Sequence, residues 1–205
     1  MLLNHPEFAG SRLVQKHLDA DGGFLRWELP AGCVLACTAV PKAGQRWDWD
    51  AAVDLLARVG PVLRNESFNV AGLTAYNRKR YFASGPTPVL ECELPPGEWR
   101  VFASVQVPIA GHKYFGPFPD VLNPAAIRCF LDTTHERYAS RFGSSFGRDI
   151  ASVFVDETSP GWSSRLLELY EAQWGEPLAP LLPALQDGAH PRHREVTERL
   201  ADLRY

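Results

Sequence analysis

The chain has 205 residues, 45% hydrophobic, 22% charged and 11% aromatic, a balance that excludes disorder, collagen and coiled coil as global descriptions. A formal net charge of -3 leaves no basic footprint for nucleic acid, and the apolar runs are too short for a membrane-spanning helix. The opening MLLNHPEFAG lacks the basic and long apolar regions of a signal peptide, so a cytoplasmic location is expected. Cysteines at 33, 37, 92 and 129 come without a histidine pair at zinc-finger distance and read as reduced thiols. No metal or other cofactor is expected, because no phosphate loop, nucleophile elbow or metal-binding histidine pair occurs.

Residues 1–110 read as a β-rich domain of antiparallel hairpins. GGFLRWELPAG (22–32) predicts a strand and a Pro-Gly turn, and CVLACTAVP (33–41) a returning strand. TPVLECELPPGEWRVFASVQVP (87–108) repeats the pattern: aligning Leu25 with Leu90 also matches Glu28 with Glu93, Pro30 with Pro95 and Gly32 with Gly97. Two such copies suit a small sandwich or sheet, although hairpin grammar alone can produce the likeness. Between them, WDWDAAVDLLARVGPVL (47–63) predicts a short helix capped by Asp48 or Asp50, and 67–76 a further strand.

Residues 111–205 read as a barrel-like βα segment, entered through the Gly-, Pro- and aromatic-rich loop IAGHKYFGPFPDVL. A helix is expected from the cap Asn123 to Gly143, with Ile127, Leu131, Thr134, Tyr138 and Phe142 on its inner face. Ile150 to Val155 is apolar at nearly every position, the habit of a parallel strand covered on both faces. Helices are expected over 162–174 and at the C-terminus, with a Pro-broken turn between them.

Asp156 and Glu157 follow the apolar run, at the end of a strand where α/β folds place their ligands. A carboxyl there can serve as a general acid if burial and its neighbour raise its pKa. Sugar chemistry needs such an acid and a second carboxylate roughly 5 to 9 Å away. Successive residues of a strand face opposite ways, so these two are not expected to be the working pair. Alternatively, Asp156 caps the DETSPG turn and Glu157 is solvated.

The stretch DVLNPAAIRCFLDTTHERYASRFGSSFGRDIASVFVDETSPGWSSRLLELYEAQWGEPLAPLLPAL, with the preceding LPPGEWRVFASVQ (94–106), resembles large glycoside hydrolases of the family 106 α-L-rhamnosidase group, the likeness covering about residues 86 to 186. The resemblance implies part of a (β/α)8 barrel, so the expected fold class is α/β. It also implies that Glu157 is the general acid of glycosidic hydrolysis, with Asp156 supporting it or binding sugar. Asp120 and Asn123 match the family's motif and become candidate substrate-binding residues, joined by His112 and Trp162. The proline that follows the family's glutamate is replaced here by Thr158. A barrel takes about 250 residues, so the expected partners are a carbohydrate or glycoside and a further chain, or a second copy, that completes the partial barrel. The second catalytic carboxylate is expected outside these 205 residues. A non-catalytic carbohydrate-binding or interaction module and a recruited small-molecule biosynthetic enzyme are the alternatives.

Overall fold

The computed structural model describes residues 8–70, 79–109, 118–154 and 161–204, with side chains throughout except at 65–70 and 79–84. The chain divides into two compact units, Val14–Val105 and Met1–Leu13 with Gln106–Tyr205.

The unit Val14–Val105 is a β-sandwich. Its strands are β1 (Ser11–Ala20), β2 (Gly23–Glu28), β3 (Cys33–Ala43), β4 (Arg46–Trp47), β5 (Val53–Asp54), β6 (Val59–Val70), β7 (Lys79–Leu94) and β8 (Trp99–Pro108). The first residues of β1 and the last of β8 belong to the other unit. One sheet has the order β1-β8-β3-β4 with β5 added on β3; the other has the order β2-β7-β6. Alternation explains the packing: Leu90, Cys92 and Leu94 of β7 point inward while Glu91 and Glu93 are exposed. They meet Cys37 and Ala39 of β3, Trp99 and Val101 of β8, and Leu55 in one buried cluster. Each large side chain fully buried there contributes about 1.5–3 kcal/mol.

The two Pro-Gly segments are not hairpin turns. β2 and β3 lie in different sheets, as do β7 and β8, so each segment carries the chain across the sandwich. The prolines Pro30, Pro95 and Pro96 have no N–H with which to continue a ladder. Instead β2 pairs antiparallel with β7, from Gly23↔Leu94 to Glu28↔Val89, while β3 neighbours β8. The two similar segments therefore lie beside each other as arches. Gly22, at φ 86°, lies so close to this corner that a Cβ would stand 2.5 Å from the Pro95 carbonyl oxygen.

The helix expected over 47–63 is also absent. Asp48 caps only a 3-10 turn at Trp49–Ala51, Asp54 accepts from the Leu56 N–H at 2.8 Å, and β6 begins at Val59. Gly60, Pro61 and the β-branched Val59 and Val62 favour the extended form. β6 and β7 make the long antiparallel ladder of the chain, from Val59↔Leu90 to Val70↔Lys79.

The second unit corrects the expected fold class. Among the described residues it contains four short helices and no βα unit of a (β/α)8 barrel: α1 (Pro124–Thr133), α2 (His135–Phe142), α3 (Arg165–Trp174) and α4 (His193–Asp202). The segment 151–154 forms no strand, and Ile150 makes only an isolated parallel bridge with Phe146. The helix expected over 123–143 breaks at Thr134, whose φ of -120° and ψ of -80° are not helical. Its intended inner face is partly in water: Tyr138 is 61% exposed and Phe142 42%. The core lies farther along the chain, where Leu166, Tyr170, Leu178, Leu182, Val196 and Leu200 are buried by α3, the 3-10 turn Ala179–Leu185 and α4. Gly175, at φ 72°, ends α3 in the left-handed conformation that glycine adopts without strain.

Candidate functional site

Asp120 lies at the centre of a buried polar junction in the second unit. Its backbone N–H donates to the Phe8 carbonyl at 2.8 Å, and its carbonyl accepts from the Asn123 N–H at 3.1 Å. Of its carboxylate oxygens, Oδ1 accepts from the Leu122 N–H at 3.0 Å and Oδ2 from the Ser163 hydroxyl at 2.6 Å. Asp120 is 9% exposed and Ser163 1%, so both groups have exchanged water for one another. Ser163 Oγ also accepts from the Arg165 N–H at 3.3 Å and so satisfies a donor at the start of α3.

Trp162 is held on three sides. Its N–H donates to the Ser11 carbonyl at 3.0 Å, its carbonyl accepts from the Ser11 hydroxyl at 2.9 Å, and its indole N–H donates to Gln106 Oε1 at 3.2 Å. The neighbouring Gly161 permits the approach, since a Cβ there would stand 2.9 Å from the Ser11 carbonyl oxygen. With the residue 2% exposed, the ring is an anchor within the fold and offers no open face for stacking a sugar. Asn123 caps α1: its side-chain oxygen accepts from the Ala125 N–H at 3.0 Å, and Pro124 takes the first helical position.

Three of the six candidate residues are thus placed. Asp120 and Trp162 are brought together through Ser163, and Asn123 follows in the Asp120 loop. Glu157, Asp156 and His112 lie outside the described residues. Sequence reasoning did not single out Ser163 or Ser11, although the WSS that contains Ser163 falls within the stretch that carries the resemblance.

The chain matches no protein-family model, no curated protein and no solved structure.

Several other acids of this unit are engaged with arginine. Arg128 pairs with Asp132 and Glu136, Arg148 with Asp149, and Arg192 and Arg199 with Glu176 and Glu195. Hydrogen bonds from Arg192 and then Arg199 hold the Glu176 carboxyl at about 2, far below its ordinary range. Such carboxylates stay ionised and paired, which suits a clasp better than proton transfer. Among the described residues no group of three or more His, Cys, Asp or Glu can hold a metal ion, and no helix is long and apolar enough to cross a membrane. All four cysteines are free thiols, and burial pushes Cys37 up to about 12, where it is unreactive.

Proposed function

We propose that the chain is glycoside-hydrolase-like and acts on a rhamnoside or related sugar, with Glu157 as general acid and Asp156 as its supporting or sugar-binding neighbour. The observation that carries this reading is the buried Asp120–Ser163 hydrogen bond at 2.6 Å. It ties the DVLNP segment to the GWSS segment that follows the acidic pair, so two parts of the resembling stretch are joined by chemistry as well as by order. In the reaction, Glu157 gives its proton to the glycosidic oxygen as the bond to the anomeric carbon breaks, and a second carboxylate, not identified among these residues, serves as base or nucleophile. Both carboxylate oxygens of Asp120 are engaged within the fold, which favours tying down its own loop over binding substrate as the role of this acid.

The test is turnover of a panel of aryl glycosides, α-L-rhamnosides included, by the wild type and by Glu157→Gln. Removing the acid should lower turnover about 100- to 10,000-fold; unchanged turnover in an active preparation rules out the assignment. A second reading, a non-catalytic carbohydrate-binding or interaction module, draws on the engagement of so many described acids with arginine. Calorimetry on the same panel separates the two readings: binding without turnover selects the module, and silence across the panel removes both.

A further inference from the structure

The second unit contains a cavity of about 310 Å³ that shares no lining residue with the Asp120 junction, lined by Thr134, His135, Tyr138, Phe146, Ile150, Ser152 and Val153. Its walls are almost wholly apolar, and it lies at the small end of the range of ligand sites. An apolar space of about 150 Å³ already admits a benzene ring.

One polar group in this wall has a defined hydrogen-bond partner. The Thr134 hydroxyl donates its single proton to the Phe130 carbonyl at 2.5 Å. The same oxygen lies 2.9 Å from His135 Nδ1, so it must accept there, and the neutral imidazole carries its proton on Nδ1. In that neutral form Nε2 is a lone-pair acceptor, and no hydrogen bond to it occurs among the described residues. The Phe130 ring stands edge-on to the imidazole, with centroids 5.2 Å apart and planes at 64°, and fixes its tilt. Tyr138 and Phe146, 61% and 43% exposed, supply aromatic surface beside it.

We infer that this cavity binds a flat apolar ring carrying a hydroxyl, a phenol, with the ring against Tyr138 and Phe146 and the hydroxyl donating to His135 Nε2. A sugar fits the walls poorly, because most of its hydroxyls would leave water without gaining a partner.

The experiment is an amide NMR titration of the full chain with p-cresol, toluene and methyl α-L-rhamnoside. p-Cresol should shift the amides of residues 134–138 and 146–153 and bind at least tenfold more tightly than toluene, with no comparable shifts from the rhamnoside. His135→Phe keeps an aromatic ring but loses the acceptor, and should bring p-cresol down to the affinity of toluene. Thr134→Val keeps the imidazole but releases its proton position, and should weaken p-cresol several-fold while leaving toluene unchanged. The spectrum of each variant without ligand reports its folding. Equal binding of toluene and p-cresol, tighter binding of the rhamnoside, shifts mapping elsewhere or no shifts at millimolar ligand would each overturn the inference.

Discussion

The Ser163 hydroxyl donates to Asp120 and accepts from the Arg165 N–H, and its loss would leave Asp120 Oδ2 buried without that donor. An unmet buried acceptor costs about 1–3 kcal/mol. Ser163→Ala should therefore lower stability by about that much in urea unfolding, and the same change at the exposed Ser164 should leave it within about 0.5 kcal/mol. At Gly22 the constraint is backbone geometry: φ is positive and the Pro95 carbonyl occupies the space of a side chain. Gly22→Ala should cost about 1–3 kcal/mol in thermal or urea unfolding. Asn123 was legible in the sequence as a cap because its partner is two residues away. Asp120 was legible only as a motif acid. Its partner lies 43 positions along the chain, beyond the reach of local spacing.

At the scale of elements, α3 and α4 are clasped by charge. Arg192 forks onto Glu176 with contacts of 2.7 and 2.5 Å, and Arg199 reaches the same carboxylate at 2.6 Å while lying over the Trp174 ring. Glu176 has a lower pKa folded, about 2, than the usual 4.5. Its contribution is complete above the ordinary value and disappears as pH falls toward 2. Unfolding midpoints measured between pH 6 and 2 should fall across that window, and Glu176→Gln should flatten the fall; an unchanged slope would contradict the clasp. The break between α1 and α2 follows a similar competition. The Thr133 and Thr134 hydroxyls bond back to carbonyls one turn earlier, and these adjacent β-branched residues offer the backbone another solution than helix. Apolar spacing shows a continuous face and cannot register that competition. The Pro-Gly arches defeated local reading for a related reason: hairpins and sheet-crossing corners use the same turn residues, and only distant pairing of β2 with β7 separates them.

At the scale of the molecule, the sandwich occupies one continuous stretch, while the other unit draws on both ends of the chain. The fragment 14–105 should therefore fold alone, with a β-type circular dichroism spectrum and a cooperative urea transition; a featureless coil spectrum would count against it. Leu90, fully buried among both sheets, is its sensitive point, and Leu90→Ala should cost about 2–5 kcal/mol in that transition. Strands β2, β3, β8 and the end of β7 were legible in the sequence, β1 was not, and the start of β6 reads as helix; local pattern carries no information on which strands share a sheet. The apolar run after Ile150 misled in the opposite direction: composition suited a covered strand, yet Val153 and Phe154 are 61% and 85% exposed.

The assignment of Glu157 as general acid is tested most directly by leaving-group dependence. A general acid matters in proportion to how badly the departing oxygen needs a proton. Turnover of dinitrophenyl, nitrophenyl and alkyl α-L-rhamnosides should be compared between the wild type and Glu157→Gln. The account predicts a loss of about 100-fold or more on the alkyl glycoside and little loss on the dinitrophenyl one. An equal loss on all three substrates, or none on any, would contradict it.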